Sequence, residues 1–160
     1  MALLLLVVLL TAGVSLNDAE DSFRKLPDIY KKGVELALHQ INEHDDIQNH
    51  FLFFKAIHQA EIKAGFGVTY IYHNFYLKAT TCQRGTENAD TTTCAFRNDR
   101  PLIDCVICYK ASAGEIGGKT YLNCMNRRAL SKDIKREREI GCYQAGFGSL
   151  TPTPVAHTGS

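Results

Sequence analysis

The 160-residue chain lacks most of what would mark an enzyme or a nucleic-acid binder. It holds no G-x-S-x-G, no P-loop and no dinucleotide fingerprint, which removes the motif-bearing hydrolases and nucleotide enzymes from consideration. Charge of one sign is not in excess: 18 Lys and Arg stand against 17 Asp and Glu, a formal net charge of +1. Such a balance gives no argument for nucleic acid or for an anionic membrane surface. There is no N-x-[ST] sequon, so no N-glycan is predicted. The six histidines, His39, His44, His50, His58, His73 and His157, include no H-E-x-x-H and no i, i+4 pair with a third ligand, so no metal site and no cofactor are expected. His39, Glu43 and His44 share a predicted helix and read as a solvated face.

What is present begins with MALLLLVVLLTAGVSL, ten consecutive apolar positions followed by small residues. This reads as a secretory signal peptide over residues 1–16, with Gly13 and Ser15 as the small pair before the cut. No later segment approaches the roughly 20 apolar residues of a membrane-spanning helix. The expectation is a secreted, extracellular protein without a membrane span. Removal of the leader leaves about 145 residues, enough for one domain with a core, though one that benefits from cross-links.

Cysteines are absent before Cys82; all six, Cys82, Cys94, Cys105, Cys108, Cys124 and Cys142, follow it. An even set in an oxidising compartment predicts three disulfides, with fifteen formal pairings. The pair in LIDCVICYK, residues 102–110, lies in a run of β-branched and aromatic residues without Gly or Pro. That run reads as a strand, on which side chains three apart point to opposite faces. Cys105 and Cys108 therefore neither bond each other nor share one metal. A zinc knuckle needs a turn between its cysteines and a redox C-x-x-C needs a helix opening at the second one; Val106 and Ile107 suit neither.

The rest of the chain predicts one compact α+β domain. After a polar lead-in, Tyr30, Val34, Ala37, Leu38 and Ile41 form an apolar stripe for a helix over about 28–44, limited upstream by Pro27. FLFFKAIHQAEIK (51–63) and VTYIYHNFYLKATT (68–81) read as strands joined by a Gly-Phe-Gly turn at 65–67. QRGTENADTTT, between Cys82 and Cys94, is a polar loop, and a bridge closing it contributes on the order of 3 kcal/mol. PLIDCVICYKA and KTYLNCMN give two further strands around the Gly-rich turn SAGEIGG. One N-terminal helix packed on a four-stranded antiparallel sheet is the simplest architecture.

The helix with GVELALHQINEH, the long aromatic hairpin, the TTC that closes the second strand and the spacing C-x11-C-x10-C-x2-C-x15-C-x17-C together resemble the chemerin family of the cathelicidin/cystatin-like superfamily, from about Lys31 to Cys142. The resemblance implies a cystatin-like fold with bridges Cys82 to Cys94, Cys105 to Cys124 and Cys108 to Cys142. It also implies a domain over 17–142 and a flexible C-terminal tail over 143–160. Members of that family are secreted precursors, monomeric ligands with roles in inflammation and metabolism as chemoattractants and adipokines. Extracellular proteases trim their tail, exposing an aromatic peptide that activates a chemokine-like G-protein-coupled receptor. Here Tyr143, Gly146, Phe147 and Leu150 would be the receptor-binding residues. No Lys or Arg follows Arg138, so processing falls to a protease that prefers Phe, Leu or small residues, near Phe147 to Leu150.

Two other classes share the superfamily. A cystatin-type cysteine-protease inhibitor would carry Q-x-V-x-G in its hairpin, where this chain has QAEIKAG at 59–65, and a Trp in its second hairpin, where this chain has none. A cathelicidin-like host-defence precursor would release a cationic peptide, whereas this tail has no charge apart from His157. All six cysteines are expected to be paired, which leaves no free thiolate and supports a non-enzyme. The segment RRALSKDIKRERE, 127–139, has six basic and three acidic residues. It reads as a solvated, salt-bridged helix, or as a basic face on which Arg127, Arg128, Lys135 and Arg136 meet a glycosaminoglycan.

Overall fold

A computed structural model describes residues 18–146; the leader, Phe147 and Leu150 lie outside these. The chain folds as α1 (Asp18–Lys25), α2 (Asp28–Glu43), β1 (Asn49–Gly65), β2 (Val68–Gln83), β3 (Ile103–Ser112), β4 (Glu115–Asn126), a 3-10 turn (Arg127–Ala129) and α3 (Lys132–Gln144). The strands form one antiparallel sheet in the order β1-β2-β3-β4. The fold is thus α+β, a helix and a four-stranded meander cross-linked by three disulfides. No helix among the described residues is long and apolar enough to cross a membrane.

Helix α2 follows from its stripe. Tyr30, Val34 and Ala37 are buried, with Leu38 and Ile41 packed beside them, and together they cover Ile71, Phe75, Leu77, Ile107 and Tyr109 on the inner sheet face. Pro27 precedes the first turn and its carbonyl accepts from the Tyr30 amide, as suits a residue that cannot donate. Gly33 lets the helix approach closely, for a Cβ there would stand 2.8 Å from the Tyr109 ring. The Tyr109 hydroxyl donates to the Ile29 carbonyl and ties the same turn down.

Three local expectations change. The polar lead-in carries its own helix, α1, whose Ala19 is buried, with Leu26 buried just after its end, and whose Phe23 ring lies 5.7 Å from that of Phe53. The β3–β4 turn is not the whole of SAGEIGG: it narrows to Ala113 and Gly114, both with positive φ, and Glu115 to Gly118 continue as strand. Two residues of positive φ match the twist of a tight hairpin, and a bulge beyond Cys108 absorbs the offset. RRALSKDIKRERE is not one helix: Ser131 breaks it and caps α3 by accepting from the Ile134 amide, as a helix start requires.

Beneath α2, His73 is fully buried. Its ring stands edge-on to Tyr30 at 5.0 Å and 4.7 Å from Phe75, and its Nδ1 has no hydrogen-bond partner among the described residues. Burial pushes its pKa from 6.5 down to about 4. Between these values the unfolded chain binds a proton that the folded chain refuses. The associated stability is present above pH 6.5 and drains away as pH falls towards 4, on the order of 3 kcal/mol in all. Urea midpoints at pH 7 and pH 5 should therefore differ, and His73→Phe or His73→Gln should flatten the difference; an unchanged slope in both variants would remove His73 as its cause.

Candidate functional site: the outer sheet face and helix α3

Strand β3 alternates between two covered faces. Cys105, Ile107 and Tyr109 belong to the core under α2, whereas Val106 and Cys108 form a second cluster with Cys142 of α3. Cys105 bonds Cys124, its direct cross-strand partner on β4, with Cα atoms 4.1 Å apart. Cys108 bonds Cys142 and fastens α3 to the opposite face. Cys82 bonds Cys94 and closes the polar loop. These are the bridges that the family resemblance implies, and no cysteine among the described residues is free.

Helix α3 docks through a narrow line of residues, Arg138, Gly141, Cys142 and Ala145, at helical spacing. A Cβ on Gly141 would lie 2.1 Å from the Tyr121 ring, so only glycine permits this approach. Arg138 is the polar member of the line. Its Nη1 donates to Asp104 Oδ1 at 2.6 Å, its Nη2 to the Asp104 carbonyl at 2.8 Å and its Nε to Asn123 Oδ1 at 2.8 Å. Both side chains of the ion pair are only 5% exposed. Asn74 completes the network by donating to Asp104 Oδ1 and to the Cys105 carbonyl, each at 2.9 Å. A buried pair with its remaining hydrogen bonds filled avoids the penalty of an orphaned charge.

The Arg138 network lies at a cleft of about 430 Å³ between α3 and the sheet, lined by Ile57, Tyr72, Tyr76, Arg127, Lys135 and Glu139 among others. Burial raises the Tyr72 hydroxyl pKa, with the Arg138 charge opposing. Arg127 lies over the Tyr76 ring, 5.0 Å from its centroid. The loop after β2 folds back, with the Arg97 amide donating to the Ala79 carbonyl, and sets Phe96 edge-on to Phe54 at 5.6 Å.

The structure thus separates residues that the sequence grouped. Of the four basic residues of 127–139 singled out, Arg127 and Lys135 line the cleft; Arg128 and Arg136 are exposed and do not. The segment is not laced by internal salt bridges: its one ion pair among the described residues joins Arg138 to the sheet. Tyr143 is not the start of a tail. It lies in the last turn of α3, 56% exposed, while Ala145 is buried and Gly146 lies against the Tyr70 ring. The folded body therefore runs beyond the boundary expected at Cys142. Asp104, Asn74, Asn123 and Arg138 were not singled out; the one sequence signal was an aspartate inside an otherwise apolar strand.

No family model matches this chain, and no curated protein matches it.

Arg138→Met leaves Asp104 buried without its cation and should cost about 3 kcal/mol or more in unfolding free energy. Adding Asp104→Leu should recover part of that loss, because the remaining charge goes too. Chemical denaturation of both variants measures this; a single variant as stable as the parent would show the pair to be idle.

Proposed function

We propose that this chain is a secreted, chemerin-like ligand precursor, a stapled domain of cystatin-like type that presents a C-terminal peptide for proteolytic unmasking and recognition by a chemokine-like G-protein-coupled receptor. The observation that supports this reading most is the disulfide framework: the six cysteines pair as the resemblance implies, and the last bridge holds α3 immediately before the peptide. Three disulfides and the absence of a spanning helix among the described residues fit an extracellular protein. Tyr143 is exposed in the last turn of α3. Residues 147–160, FGSLTPTPVAHTGS, carry no charge apart from His157, so an apolar or aromatic contact would dominate their recognition.

The test is calcium signalling or migration of cells that express a chemerin receptor, exposed to the full secreted chain and to versions ending at Gly146, Phe147, Ser149 and Leu150. The version ending near Leu150 should activate and the version ending at Gly146, which keeps the whole of α3, should be silent. Silence of every version would sink the receptor reading.

One observation favours a second reading, inhibition of a papain-like protease. Phe66, at the apex of the β1–β2 hairpin, is fully exposed with a φ of 52°, and the two hairpin turns stand side by side, since Gly67, Ala113 and Gly114 line one small cavity. Inhibition of papain by the intact chain that disappears in Phe66→Ala would favour it over the receptor reading; no inhibition at micromolar concentration would dismiss it.

A further inference from the structure

Seven Lys and Arg residues of the described chain, Arg24, Lys31, Lys32, Arg84, Arg97, Arg100 and Arg138, lie within ion-pair distance of carboxylates. Of the eleven others, which have no such partner among the described residues, Lys55, Lys78, Arg127 and Lys135 gather on the outer face of the sheet. Three of them stand over aromatic rings. The Lys78 ammonium is 4.6 Å from the centroid of Phe54 and 5.7 Å from that of Phe96. Lys55 is 5.8 Å from that of Tyr76, which Arg127 also overlies at 5.0 Å. Lys135 lines the cleft alongside Tyr72 and Tyr76.

A cation held over a ring has a preset position, and the ring does not cancel its charge. The carboxylates nearby do little to offset the four: Asp104 is already matched by Arg138, and Glu139 is the other acid lining the cleft. Across β1, β2 and the chain after β4, the face presents uncompensated positive charge interleaved with flat rings, while the molecule as a whole is near neutral. That combination selects a partner that is both anionic and ring-shaped. Lipid headgroups supply the charge, but a membrane surface rewards protruding apolar side chains, and of the exposed large apolar residues only Ile57 lines this cleft.

We infer that this face binds a linear sulfated polysaccharide, with sulfates on Lys55, Lys78, Arg127 and Lys135 and sugar rings against Tyr76 and Phe54. The surface spans the sheet as well as the segment 127–139, and it is independent of the receptor reading, since none of its residues lies in the C-terminal peptide. Glu139 works against binding.

The experiment is titration of the full disulfide-bonded chain with a heparin dodecasaccharide at 0.15 M NaCl. Lys55→Gln with Lys78→Gln should weaken binding roughly tenfold, as loss of two exposed charge contacts implies, while Lys55→Arg with Lys78→Arg should restore it and Glu139→Gln should tighten it. Arg128→Gln with Arg136→Gln should stay within about twofold of the parent, because neither stands over an aromatic ring of this face nor lines the cleft. Three results would overturn the inference: no heparin binding by the parent, parental affinity in the Lys55/Lys78 glutamine variant, or equal retention of the chain by phosphatidylserine vesicles, which would assign the charge to a lipid surface.

Discussion

Strand β3 has to be buried on both faces, and the architecture is arranged around that requirement. A strand reading Ile103-Asp104-Cys105-Val106-Ile107-Cys108-Tyr109 offers apolar side chains up and down, so a sheet with one solvated face cannot accommodate it. Helix α2 covers one side with Tyr30, Val34 and Ala37. The other side would be bare without α3, which has no broad apolar stripe with which to find it. The Cys108–Cys142 bridge, the Gly141 contact with Tyr121 and the Arg138 network supply by covalent, steric and polar means what hydrophobic area supplies on the α2 side.

The two faces consequently do different things. The inner face is a conventional core in which burial of large side chains dominates stability, and burial lowers the pKa of its histidine, His73. The outer face is partly roofed, and its polar groups specify position: an arginine that must meet Asp104, Asn123 and two carbonyl groups leaves α3 a single seat. Beside that seat the sheet stays open, and there Lys55, Lys78 and Arg127 collect over aromatic rings. The surface proposed for recognition and the stabilising core thus lie back to back across one sheet, separated by the thickness of a strand.

Much of the fold was legible because its signals are periodic. The α2 stripe, the alternation in β2 and the opposite-face placement of Cys105 and Cys108 each follow from a single repeat length. Helix α1 was missed although Ala19, Phe23 and Leu26 stand at helical spacing, because two turns among charged residues carry too few apolar positions to count. The β3–β4 turn was overextended because Gly117 and Gly118 resemble turn residues, yet they lie in strand. The site was less legible than the fold. Arg138 sits in a run of six basic residues, and nothing in composition tells the one that turns inward from the five that face water; only the register of α3 against Asp104 does. Likewise Lys55 and Lys78 are 23 positions apart in sequence and become neighbours only through the β1–β2 pairing, in which Leu52 stands opposite Lys78.

The span between the two halves of the α3 fastening has a consequence for biosynthesis. Cys142 follows Cys108 by 34 residues, and chains emerge and fold from the N-terminal side. The meander and its inner core can therefore assemble while Cys108, Val106 and the Asp104 carboxylate still await their cover. During that interval the nascent protein exposes a reactive thiol and an unmatched charge on one flank. Under the secreted reading proposed above, quality control of folding intermediates would read that flank as unfinished until α3 arrives and the bridge closes, so that a single late oxidation would certify the entire outer face.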